Sequence, residues 1–148
     1  MKTVLATTLL FFLGATRAQA QKPERINPPG LSKSPGYTQV IKAGKLVFIA
    51  GQTGATADGK VAGPGMKEQY EQVLNNLATA LKAQGLDFSH VAMTTTFVTN
   101  IEEFRTPEVQ AVRPKRFGNR PPTSTLVQVV RLADPAYKVE VQAIAVLP

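Results

Sequence analysis

Apolar positions recur at spacings of three and four between residues 66 and 81. Met66, Tyr70, Val73, Leu74, Leu77 and Leu81 fall on one stripe, and Lys67, Glu68, Glu71 and Lys82 face away from it. This period predicts a helix over Met66–Ala83 whose stripe packs on a neighbour. Gly85 supplies the left-handed residue that ends such helices. Before the helix, Leu46-Val47-Phe48-Ile49-Ala50 is an unbroken apolar run of strand length, which predicts a buried strand. A shorter strand precedes it at Tyr37–Ile41, across the turn Ala43-Gly44-Lys45. Residues 51–65 hold five glycines and one proline, a loop composition.

After the helix, the β-branched run Thr94-Thr95-Thr96-Phe97-Val98 predicts a strand over Val91–Thr99. A second, weaker helix is expected over Pro107–Phe117. Pro107 suits its first turn, and Pro114 makes it short or kinked. Strands follow at Thr123–Leu132 and Tyr137–Leu147. In the last one, Val139, Val141, Ala143, Ala145 and Leu147 are small or apolar throughout, and the alternate positions begin with Lys138, Glu140 and Gln142. The order β-β-α-β-α-β-β predicts an α/β (α+β) domain with one mixed sheet and its helices on one face. The other face carries apolar positions in several strands, so it is expected to be buried against other subunits.

The N-terminus does not fit this pattern. An apolar run from Val4 to Leu13 follows Lys2, and Ala18-Gln19-Ala20 is a small-x-small site, so residues 1–20 read as a signal peptide cleaved before Gln21. The run is shorter than the roughly 20 residues that span a bilayer, and no membrane anchor is expected elsewhere. The protein is therefore expected to be exported, to a periplasm in the first instance. Residues 21–34, with Pro23, Pro28, Pro29 and Gly30, read as an extended arm without regular structure. The domain proper runs over residues 35–148.

Composition removes several kinds of chemistry. The chain has no cysteine and one histidine, His90. A thiolate nucleophile, a cysteine-ligated metal, a serine-histidine triad and a histidine zinc site are all excluded or incomplete. Two of the 17 Lys and Arg fall in the leader, leaving 15 against 10 acidic residues, a net charge of +5. This moderate basic bias favours anionic ligands. Arg113, Lys115, Arg116 and Arg120, with Phe117 among them, read either as a solvated helix end or as a nucleic-acid patch. The absence of an RNP-like motif and the signal peptide favour the first. Glu140 is the other residue of interest. A carboxylate in mid-strand is either an exposed or paired group, or a cleft group able to bind and activate water. Gln142 lies on the same face.

Five segments in order resemble the successive motifs of the RidA (YjgF) family: Pro35-Gly36-Tyr37-Thr38-Gln39, Val47-Phe48-Ile49-Ala50-Gly51-Gln52, Thr95-Thr96-Phe97-Val98, Pro121-Pro122-Thr123-Ser124-Thr125 and Val139-Glu140-Val141-Gln142-Ala143-Ile144-Ala145-Val146. The resemblance implies a chorismate-mutase-like fold and a homotrimer with an inner β-barrel and helices outside. It also implies small-molecule sites between subunits. The activity it implies is cofactor- and metal-free hydrolysis of reactive enamines and imines, such as 2-iminobutanoate, to carbonyl compounds and ammonia. Some members have been described as ribonucleases instead. Carried over by position, Glu140 and Tyr37 become the catalytic pair. Ala50, Gln110 and the Thr123-Ser124-Thr125 run become the substrate-binding group. In the family's deaminases an arginine after the Pro-x pair grips the substrate carboxylate. Here Thr123 holds that place, or Ser124 if the one-residue length difference is placed otherwise, and Arg120 or Arg131 would have to reach in to replace it. A charge-assisted bond is worth about 1.5–3 kcal/mol against about 1 for a neutral one, so the exchange would weaken 2-imino acid binding by roughly tenfold or more. Three readings follow: an imine hydrolase of altered preference, a non-catalytic small-molecule-binding trimer, and, less favoured, an RNA-binding protein.

Overall fold

Alternation in the last strand decides how the sheet is covered. The computed structural model describes residues 22–148. The elements are β1 (Glu24–Ile26), β2 (Val40–Ala43), β3 (Leu46–Thr53), α1 (Met66–Lys82), β4 (Val91–Val98), α2 (Ile101–Phe104), α3 (Pro107–Gln110), α4 (Pro114–Phe117), β5 (Thr123–Gln128) and β6 (Val139–Val146). The strands form one sheet in the order β1-β2-β3-β6-β4-β5. All pairs are antiparallel except β4 with β5, so the sheet is mixed. Its topology is the expected single sheet with the last strand at the centre.

Val139, Val141, Ala143 and Ala145 of β6 are buried, as are Val40 of β2, Val47 and Ile49 of β3, and Val91 and Val98 of β4. Helix α1 lies on this side and buries Met66, Tyr70, Val73, Leu74, Leu77, Ala80 and Leu81. Each large side chain removed from water here contributes about 1.5–3 kcal/mol. The ring of Phe104 meets Tyr70 edge-on at 5.0 Å and ties α2 to the same layer.

The start of α1 has no cap from its own flank. Glu103 accepts a hydrogen bond from the Met66 backbone N–H at 3.2 Å and pairs with the Lys138 ammonium at 2.9 Å. A carboxylate at a helix N-terminus also meets the positive end of the helix dipole. Gln69, fully buried, donates to the carbonyls of Gly63 and Ala136 and accepts from Lys138 N–H. One amide thus fastens the loop before α1 to the loop before β6. At the far end Gly85 sits at φ 69°, as the helix pattern requires.

Four details depart from the sequence reading. Residues 24–26 of the arm are a strand, paired in register with β2. Tyr37 lies in a bend before β2, outside the strand assigned to it. The single helix expected over Pro107–Phe117 is instead split: α3 and α4 are separate turns, preceded by α2, which Asn100 caps by accepting from Glu103 N–H. Pro114, which cannot donate to the preceding turn, starts α4. Strand β5 stops at Gln128, with one further bond from Val129 N–H to Val98 C=O. The signal peptide expected at residues 1–20 lies outside the described residues. Among the described residues no helix is long and apolar enough to cross a membrane.

Candidate functional site on the uncovered sheet face

Among the described residues, no helix covers the opposite side of the sheet. Phe48, Leu46, Met93, Val127 and Val146 are each about 40% exposed there. The registers place Thr53, Glu140, Phe97 and Val127 in one row across β3, β6, β4 and β5. The next row on this face is Gln142, Thr95 and Thr125, and the one beyond is Phe48, Ile144, Met93 and Thr123. Glu140 is thus a carboxylate set among apolar and uncharged polar side chains.

The pairing of β3 with β6 shifts between Ile49 and Gln52, a bulge that re-aims the intervening residues. Gly51 in that bulge lies directly against Glu140, and a Cβ built on it would stand 1.8 Å from the carboxylate Oε1. Only glycine leaves room for the carboxylate. Buried amides hold the bulge in place. Gln52 donates to Gln39 Oε1 at 2.8 Å and to Ala50 C=O, and Gln39 donates on to Ser32 C=O. The Gln39 backbone N–H donates to Asn27 Oδ1, which brings the arm into the same network. Glu140 is half-buried, and burial raises its pKa above the ordinary value with no neighbouring cation or hydrogen bond to offset it. Neither Arg120 nor Arg131 therefore acts on it within this chain.

A cavity of about 280 Å³ lies on this face, lined among others by Thr38, Phe48, Ala50, Met93, Thr95, Gln142 and Ile144. It contains Ala50, one of the sequence-predicted residues, and Gln142. Glu140 stands one row further along the face, outside the cavity's lining. Tyr37 is half-exposed next to Thr38, which does line it. Thr123 and Thr125 share the open face with Met93 and Thr95. Ser124 does not: its hydroxyl meets that of buried Thr94, at 3.3 Å, on the covered side. The alternation thus selects Thr123 rather than Ser124 as the residue that stands on the face of Glu140. Gln110 sits in α3 and donates to Phe104 C=O at 2.7 Å, so within this chain it belongs to the helix layer and is not brought to Glu140. Gly51, Phe48, Met93 and Thr95 join the site without having been singled out in the sequence. For Gly51, the glycine that ends an apolar strand was the available signal.

The remaining charged groups have other uses. His90 pairs with Asp87 at 2.9 Å and closes the cap of a short 3-10 turn. The Arg113 guanidinium lies 5.3 Å from the Phe117 ring centre, and Arg116 donates to Asn75 of α1. The basic cluster belongs to the helix layer, not to the face of Glu140. A second cavity, of about 850 Å³, lies under the arm at residues 27–34 and the loop at 57–59, and holds none of the predicted site residues.

A single mixed sheet with helices on one side, and a half-buried carboxylate on the other, defines a small α+β protein with a candidate site on its open sheet face. Residues 31–147 match the sequence model of the family described as Endoribonuclease L-PSP, and the chain belongs to that family, the RidA/YjgF family. Among curated relatives, Reactive Intermediate Deaminase A, chloroplastic, of Arabidopsis thaliana is 38% identical over 112 residues, covering 75% of this chain, and this chain spans 58% of that protein's length. The human 2-iminobutanoate/2-iminopropanoate deaminase is 30% identical over 120 residues, 78% of this chain and 85% of the relative. Among solved structures, Escherichia coli TdcF with bound serine matches with a TM-score of 0.74 at 26% identity, covering 84% of this chain and 98% of that one. RidA from the Antarctic bacterium Psychrobacter sp. matches with a TM-score of 0.77 at 25% identity, covering 84% and 99%.

Proposed function

We propose that this protein hydrolyses reactive imines or enamines to carbonyl compounds and ammonia, as a homotrimer acting after export, without metal or cofactor. The observation that carries the reading is Glu140, a half-buried carboxylate with its pKa raised by burial, packed against a glycine on the uncovered face. Relatives named as 2-iminobutanoate/2-iminopropanoate deaminases, and one solved with bound serine, support a small nitrogen-bearing ligand. The half-exposed Phe48, Leu46, Met93 and Val146 support burial of this face between subunits, with Tyr37 closing the pocket.

In this reading Glu140 takes a proton from a bound water as its oxygen bonds to the imine carbon, and the C=N electron pair moves to nitrogen. Glu140 returns the proton to that nitrogen. Glu140 next takes the hydroxyl proton of the resulting carbinolamine and passes it to the amino group, so that the C–N bond breaks, ammonia leaves and the C=O bond forms. Imine and water are consumed, and ketone or aldehyde and ammonia appear, with no net proton change. A raised pKa suits a group that must both accept and donate.

The test generates imino acids in situ from a panel of amino acids with an amino-acid oxidase, and neutral imines from simple amines with an amine oxidase, and traps surviving imine with semicarbazide. Trapping is expected to fall when the protein is present and to recover with Glu140→Ala. No fall with any imine, carboxylate-bearing or neutral, beside a working control deaminase, would reject the hydrolase reading. A second reading is a non-catalytic small-molecule-binding trimer, favoured by the uncharged lining of the cavity next to Glu140. It expects Glu140→Ala to change ligand affinity alone.

A further inference from the structure

The charges on the open face are few and their places are known. From β2 to β5 the rows on this face contain Ile41, Phe48, Ala50, Glu140, Gln142, Ile144, Met93, Thr95, Phe97 and three residues of β5, and Glu140 is the only charged group among them. Among the described strand residues, the one cation sharing the face is Arg25 in the edge strand β1, opposite Ile41. It stands three strands from β6, roughly 14 Å away at about 4.8 Å per strand. Lys42, nearer in sequence, pairs with Val47 on the covered side and its ammonium bonds Glu24. A ligand carboxylate beside Glu140 would therefore meet it with no guanidinium or ammonium from the described strands of the same subunit to balance it. Two like charges in a partly desolvated cleft repel, and the ligand also loses its hydration.

What the face offers instead is an uncharged polar row, Gln142, Thr95 and Thr125, beside an apolar one, Phe48, Ile144 and Met93, that ends in Thr123. An amide and two hydroxyls can donate to and accept from a neutral imine or carbonyl. The Thr123 hydroxyl is already engaged, donating to Ala92 C=O at 2.9 Å, which leaves its methyl for an apolar substituent.

Resting on the imine reading above, we infer that the substrate is an uncharged imine with an apolar substituent and no carboxylate, and that Thr123 sets this preference.

The test compares two probes on the full protein. One is phenylmethanimine, released from benzylamine by a flavin amine oxidase and followed by ultraviolet absorbance. The other is 2-iminobutanoate made in situ. The expected result is a kcat/KM roughly tenfold or more higher for the neutral imine, and a gain of about tenfold on 2-iminobutanoate in Thr123→Arg. A wild-type preference for 2-iminobutanoate would overturn the inference and leave the hydrolase reading standing. If neither probe is turned over, the hydrolase reading falls, and calorimetric titration decides the ligand class. Acetophenone binding more tightly than 2-oxobutanoate upholds the neutral preference, and the reverse order overturns it.

Discussion

The two faces of the sheet are built from the same strands and differ in nearly every physical respect. On the covered face, Val47, Val139, Val141 and Ala145 are sealed by α1, and the buried amides of Gln69 and Asn76 have their partners. On the open face, large apolar groups stay half-exposed, and Glu140 sits half-buried with burial alone acting on its pKa. The first arrangement stabilises a fold. The second leaves a carboxylate and an apolar surface that the fold of the single chain does not use, and the proposed function assigns them to ligand and to other subunits.

Substitutions on the two faces should separate these roles. The largest loss of stability is expected from Leu74→Ala, which empties a fully buried position under β3 and β6. Unfolding in denaturant should show a loss of about 2–5 kcal/mol. Gln69→Ala removes the partner of two carbonyls and one N–H, which water entering from the adjoining loops partly replaces, so a smaller loss of about 1–3 kcal/mol is expected. A loss under about 1 kcal/mol would mean that the loops before α1 and β6 do not depend on this amide. Gly51→Ala drives a methyl group into the carboxylate of Glu140. Turnover should fall by about tenfold to a hundredfold with only a small change in melting temperature, as expected when a reacting group is misplaced. The smallest effect on the fold is expected from Phe48→Ser, at a site 40% exposed. Melting of dilute protein should hardly change, but the rise of melting temperature with protein concentration should shrink, because association stabilises by mass action. A large loss in dilute protein would mean that Phe48 belongs to the chain's own core.

Elements with strong local periodicity were legible in the sequence. The stripe of α1 and the alternation of β6 depend on residues close in the chain, and each survives in the fold nearly residue for residue. Glu140 was visible for the same reason, as a mid-strand carboxylate on the face opposite the apolar alternation. Features that depend on distant pairing were not. Strand β1 exists because Arg25 and Ile26 meet Ile41 and Val40, and its proline-rich surroundings read as loop. The choice between Thr123 and Ser124 needed the register of β5 on β4, which places Ser124 against Thr94. Gln110 was carried over by resemblance onto an expected helix that is in fact two separate turns, and it lies in the helix layer. Gly51 showed its purpose only once the bulge brought it to Glu140.

If the open face keeps an unfavourable carboxylate for chemistry, Glu140→Gln should relieve its cost and remove its use in one variant. Burial disfavours the charged form, so the folded pKa lies above the ordinary value of 4.5. As pH rises past that value the unfolded chain releases its proton first, so Glu140 subtracts stability until the folded pKa is passed, and the deficit stays constant above it. At pH 4 or below the deficit closes. The measurement is thermal melting of both proteins at pH 4 and pH 7.5, with imine hydrolysis at pH 7.5. Glu140→Gln is expected to melt higher than the wild type at pH 7.5, by a margin that narrows at pH 4, and to lose turnover by roughly a hundredfold or more. A variant that melts lower at pH 7.5, or that keeps its turnover, would contradict this role of Glu140.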